Sequence, residues 1–156
     1  MFMSEMYCIN PEKVFVTGHS WGGDMAQVAG CFLGELIRAS VPVAANRPYW
    51  FEPSQGPWGG CPGNTAVWVM FGEGDDHFTW QDYPGQFGDE QRDFWLEERS
   101  CSGSADATDL GLGDEGECLE YSGCSHTTRY CLYGASAGHQ VHGYYSEAVM
   151  EFFRGL

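Results

Sequence analysis

A chain of 156 residues with 43% apolar and 15% aromatic content can bury one hydrophobic core, which excludes a disordered segment. The formal net charge of −15, from 7 bases against 22 acids, is concentrated after Phe71 and excludes nucleic acid as a partner, because phosphate binding needs Lys and Arg patches. No apolar run approaches the ~20 residues that span a bilayer, so no membrane partner is expected, and residues 1–8 lack the basic and apolar parts of a signal peptide.

In chain order, Asn10-Pro11 marks a turn, and residues 13–17 follow as a strand with the apolar run Val14-Phe15-Val16. Residues 18–23 then read Gly-His-Ser-Trp-Gly-Gly. This is Gly-x-Ser-x-Gly at the end of a strand, with Gly18 and Gly22 both expected to relieve crowding in a sharp turn that lifts Ser20 clear of the sheet. The pattern is short and matches by chance. Its setting strengthens it, because Met25, Val28, Ala29, Phe32, Leu36 and Ile37 follow with helical spacing. Strand, tight turn and helix form the context in which a serine acts as a nucleophile, against the plainer reading of a glycine-rich turn with an idle serine.

Residues 41–45 read as a short strand, and residues 46–64 as a loop rich in Pro, Gly, Trp and Phe. Tyr49, Trp50, Phe51 and Trp58 either line an acyl or aromatic pocket beside Ser20 or cover core edges. Both readings stand. Residues 66–71 form a nearly continuous apolar run, as in a parallel strand buried on both faces. Asp75 lies just past its C-terminal end, where α/β sheets place their chemistry, with Asp76 as the competitor. Residues 86–99 read as a helix, with Phe87, Gln91, Phe94 and Trp95 on one side. Residues 101–117 read as a solvated loop.

Residues 130–133 read as a last strand and residues 134–138 as a loop that delivers His139. A helix follows, with Tyr145, Val149, Phe152 and Phe153 on one face. His77 and His142 compete with His139 as the base. Cys124-x-His126 and His139-x-x-His142 are possible zinc ligands, but no four-ligand set emerges. Asp106, Asp109, Asp114 and Glu115 do not match an EF-hand. No metal and no cofactor is expected.

The order Ser20, Asp75, His139 is that of α/β-hydrolases. Residues 7–23, Phe71-Gly72-Glu73-Gly74-Asp75, Tyr121-Ser122-Gly123-Cys124 and Gly138-His139 resemble the polyhydroxybutyrate depolymerase and feruloyl esterase group of that fold. The similarity extends over nearly the whole chain, from the elbow strand onward. It departs at Gln140-Val141-His142-Gly143, where the family usually continues with Trp-Pro-Gly. The resemblance implies a secreted or periplasmic serine esterase, with Ser20 as nucleophile, Asp75 as acid, His139 as base and the Trp21 N–H as an oxyanion donor. His19, Trp50 and Trp58 are the candidate substrate contacts. The substrate would be a small-molecule or polymeric ester, short-chain, feruloyl-like or polyester.

The expected fold is one partial α/β-hydrolase domain over residues 1–156, a mostly parallel sheet of about four strands with flanking helices. In that family the elbow strand is the fifth of eight, yet only residues 1–12 precede Lys13. The loop that supplies a second oxyanion donor would lie upstream, and the elbow strand would be a sheet edge. A homodimer or a missing N-terminal half is therefore expected. The rival reading is a non-catalytic, disulfide-stapled binding or interaction module that keeps the triad as a relic. A thiol-dependent redox protein is a third and weaker reading, because no reactive cysteine pair is apparent in the sequence.

Seven cysteines favour disulfides and an oxidising compartment. The resemblance implies Cys101 with Cys124. Cys118 and Cys131 would then clip two neighbouring extended segments. Cys8, before the elbow strand, and Cys31, three helical turns after the elbow, are expected to pair, which leaves Cys61 single. Sequence does not fix this connectivity.

Overall fold

Alternation in the central strand organises the molecule. The computed structural model describes residues 6–47, 61–108 and 116–156. Strand β3 (Ala66–Gly72) is buried along its whole length. Ala66, Trp68 and Met70 face one core with helix α3 (Tyr145–Gly155), whose Val149, Phe152 and Phe153 complete it. Val67 and Val69 face the other core, with Cys31 of helix α1 (Trp21–Phe32) and Trp95 of helix α2 (Gln86–Glu98). A strand covered on both faces cannot alternate polar and apolar residues, and this accounts for its continuous apolar run.

Among the described residues the sheet has six strands, in the order β1 (Phe15–His19), β2 (Ala39–Val43), β3, β6 (Thr128–Tyr133), β5 (Gly116–Tyr121) and β4 (Ala105–Ala107). The first four are parallel, and they are the four strands expected from the sequence. The expected count of four is therefore corrected to six. The two additions, β5 and β4, pair antiparallel beyond β6. Residues 101–117 are accordingly more than a solvated loop. The three residues of β4, Ala-Asp-Ala, are all exposed, so the strand carries no large apolar residue that would mark it in the sequence. A disulfide joins Cys118 to Cys131, directly opposite each other in the β5–β6 register, and a second joins Cys101 to Cys124. Both are the expected pairs.

The expected Cys8–Cys31 pair does not form. Cys8 is exposed, whereas Cys31 is buried and engages Cys61. Helix α1 also differs from its apolar pattern. Its buried face holds Gly23, Asp24, Ala26, Gln27, Gly30 and Cys31, while Met25 is 65% exposed. Small residues let the helix lie close to the sheet, and its two buried polar residues have partners. Asp24 accepts from the Asn46 N–H at 2.7 Å, and Gln27 donates to the Asn46 carbonyl at 3.1 Å. No helix of the described residues is long and apolar enough to cross a membrane.

Candidate active site

The turn from β1 into α1 is built around one unusual residue. Ser20 has φ 57° and ψ −125°, a conformation that costs a non-glycine residue about 1–3 kcal/mol. Its N–H donates to the Val43 carbonyl at 2.9 Å, and its own carbonyl accepts from the Asp24 N–H at 3.0 Å, which starts α1. Gly18 is required by close approach. A Cβ there would lie 2.3 Å from the Gly22 carbonyl group. At Gly22 a Cβ would meet nothing within 4 Å, so the expected crowding there is corrected. The second tight position is Gly23, where a Cβ would lie 2.9 Å from the Val43 oxygen. Trp21 opens α1, and its N–H belongs to the first helical turn, where no intrahelical acceptor exists.

The other two residues meet across the C-terminal end of the parallel strands. His139 Nδ1 lies 2.8 Å from Asp75 Oδ2, and the Asp75 side chain is fully buried. The second Asp75 oxygen accepts from the His77 N–H at 3.0 Å. With Nδ1–H donating to the carboxylate, the Nε2 of His139 is left as an acceptor. Close backbone contact makes this meeting possible. The Gly74 N–H donates to the Ala137 carbonyl at 3.0 Å, and a Cβ on Gly72 would lie 2.2 Å from that same oxygen. Two loops thus lie directly on each other because neither glycine has a side chain.

His19 brings the elbow to this pair. Its ring lies 4.7 Å from that of His139 and carries a buried Nε2 with no partner among the described residues. Burial, reinforced by the charge of His139, holds the His19 pKa below the usual histidine value of 6.5. Of the two competing histidines, His77 stacks on His139 at 4.4 Å and 21°, and His142 packs over Tyr133. Asp76 is exposed.

The site also includes Phe78 and Trp80, which sequence reasoning misses. The Phe78 ring meets His139 edge-on at 5.5 Å and Trp80 at 5.6 Å, and it is stacked further back on Phe71. Their only sequence signal is their place just after Asp75. Gln81 ties this loop down, donating to the Asp75 and Phe78 carbonyls and accepting from the Phe87 N–H of α2. Trp50 and Trp58, with Tyr49 and Phe51, lie outside the described residues, as do Asp109, Asp114 and Glu115. Cys124 is committed to Cys101, which removes the Cys124-x-His126 zinc pair.

No family model matches the chain. A stretch of 37 residues, 24% of the chain, is 40% identical to feruloyl esterase B of Piromyces equi and corresponds to 7% of that protein. Acetyl xylan esterase from Aspergillus awamori superposes with a TM-score of 0.72 at 17% identity, covering 97% of this chain and 63% of the esterase. The chain thus spans less than two thirds of both relatives. It has an α/β fold shared with an esterase, and over 37 residues its sequence is similar to a feruloyl esterase.

Proposed function

We propose that the chain is a serine carboxylic-ester hydrolase that works through an acyl-enzyme. Ser20 attacks the ester carbonyl while the Nε2 of His139 takes the hydroxyl proton. Asp75 holds the imidazole in the tautomer this requires and stabilises the imidazolium that forms. The Trp21 N–H donates to the developing oxyanion. The proton then passes from His139 to the leaving alcohol, and water repeats the sequence to release the acid. The observation that supports this reading is the 2.8 Å His139–Asp75 hydrogen bond, taken together with a serine held at positive φ between a parallel strand and a helix.

The substrates proposed are small-molecule or polymeric esters, short-chain, feruloyl-like or polyester. The two esterase relatives support this range, and the Phe78–Trp80 wall beside His139 suits an aromatic or acyl group. Two disulfides support action in an oxidising compartment, secreted or periplasmic. β1 stands at one end of the sheet among the described residues, which supports pairing with a second copy or with further strands of a longer chain. Ser20→Ala tests the reading. It should abolish turnover of p-nitrophenyl acetate while leaving the thermal unfolding midpoint near that of the parent. Unchanged turnover would remove Ser20 from the mechanism.

A further inference from the structure

Three cysteines lie outside the two disulfides, and two of them face each other. Cys31 is on the last turn of α1 and fully buried, among Val67, Val69 and Trp95, and Cys61 packs against the same cluster. The chain just after Cys61 runs hard against that helix end. The Gly63 N–H donates to the Cys31 carbonyl at 2.8 Å, and a Cβ on Gly63 would lie 2.5 Å from the same oxygen. The Cys31 side chain is hydrogen-bonded to the Cys61 sulfur. We propose that Cys31 and Cys61 are a redox-closable pair that forms a third disulfide, between the end of the elbow helix and the segment entering β3.

The surroundings distinguish the two sulfurs. Arg99 is buried, anchored by its Nε to the Thr65 carbonyl at 2.9 Å and stacked over Trp95, and its Nη2 lies 3.9 Å from the Cys61 sulfur. The hydrogen bond from Cys31, helped by Arg99, holds the Cys61 thiol below the usual cysteine range. Giving that bond, together with burial, pushes Cys31 up. Glu98, whose Oε2 accepts from the Cys61 N–H at 3.0 Å, opposes thiolate formation at both sulfurs. Cys61 is partly exposed, so it is the thiolate that an external oxidant meets first.

With a low-molecular-weight disulfide as oxidant, the Cys61 thiolate attacks one sulfur, and the S–S bond breaks and expels one thiolate. A mixed disulfide remains on Cys61. Cys31 then loses its proton and attacks the Cys61 sulfur, which expels the second thiolate. Two protein thiols give up two electrons and two protons, and the small disulfide becomes two thiols. The tie has a structural consequence. The segment between β2 and β3 leaves from Asn46, which Asp24 and Gln27 of α1 hold, and it returns at Cys61 to the other end of the same helix. The disulfide makes the second anchor covalent.

The test uses the full chain purified without reductant. It is incubated with oxidised glutathione, alkylated with N-ethylmaleimide under denaturing, non-reducing conditions, digested and mapped by mass spectrometry. The expected product is a cross-linked peptide pair containing Cys31 and Cys61, with Cys8 outside the cross-link. Closing that loop should raise the unfolding midpoint on the order of 10 °C. Cys61→Ser should lose the rise, and Cys8→Ser should keep it. Alkylation of both Cys31 and Cys61, a Cys8–Cys31 cross-link, or a lasting glutathione adduct on Cys61 would overturn the proposal. The peptide map of the parent chain decides the matter even if Cys61→Ser fails to fold. None of these readouts depends on ester hydrolysis.

Discussion

Gly18→Ala and Gly22→Ala remove glycines from the same motif and should have opposite effects. At position 18 the new Cβ would sit 2.3 Å from the carbonyl carbon and oxygen of Gly22, against an ordinary contact of at least 3.4 Å. The obstructing atoms are backbone, so no rotamer change relieves the overlap. The turn itself must open, and Ser20 already occupies a strained conformation within it. Overpacking of this kind costs about 3 kcal/mol, and a domain has only about 5–15 kcal/mol in total. For a chain of this size the unfolding midpoint should fall by about 6–12 °C. At position 22 the Cβ meets nothing within 4 Å and the residue is helical. Alanine there should be neutral or stabilising by up to about 1 kcal/mol through its helix propensity. Thermal unfolding of the two variants, with p-nitrophenyl acetate turnover measured alongside, makes the comparison. Equal destabilisation by the two substitutions would refute the close-approach argument and restore the symmetric reading of the motif.

Asp75→Asn should keep the fold and lower kcat by about 10³–10⁴, because the imidazole loses the acceptor that sets its tautomer. Asp76→Asn should leave kcat within about twofold, as expected of an exposed residue. Steady-state kinetics of the pair tests which carboxylate serves His139. His19 has a folded-state pKa below its unfolded value, so the unfolded chain takes up the proton first as pH falls. His126 is shifted in the same direction, by burial and then by Arg99 and Arg38. Their contribution to stability is therefore complete above about pH 6.5 and is lost below it. Unfolding midpoints at pH 7.5 and 5.5 should show this loss, and it should be smaller in His19→Gln. An identical pH dependence in that variant would dismiss His19 as a contributor. Replacing Cys118 and Cys131 together by serine should cost about 3 kcal/mol through loss of a short loop constraint, measurable by urea unfolding. Light scattering of the purified chain should show a dimer, and a strict monomer would count against pairing through β1.

The parallel half of the sheet was legible because strands buried on both faces leave continuous apolar runs, as at Val67–Val69, and because their loops carry glycines at fixed places. Asp75 and His139 were legible from their places after the ends of two such strands and from the chain order Ser20, Asp75, His139. The buried face of α1 was not legible as such. It is made of Gly23, Ala26, Gly30 and Cys31 with two partnered polar residues, so the helical apolar pattern selected Met25, which is exposed. β4 and β5 were hidden for a related reason. Ala105–Ala107 is exposed at all three residues, and the residues ahead of Cys118 are acidic and small. Pairing of Cys31 with Cys61 depends on a contact distant in sequence, between a helix end and the entry to β3, which local patterning does not encode. Phe78 and Trp80 gave only their place just after Asp75 as a signal, which is weak because aromatic residues are common throughout this chain.

The central claim is that Ser20 is an activated nucleophile served by His139. A fluorophosphonate probe tests it most directly, because it bonds covalently only to such a serine. The chain is treated with the probe and digested, and the modified residue is located by mass spectrometry in the parent and in His139→Ala. The account predicts one adduct, on Ser20, in the parent, and little or none in His139→Ala. An unlabelled Ser20, or equal labelling in the two proteins, would contradict it.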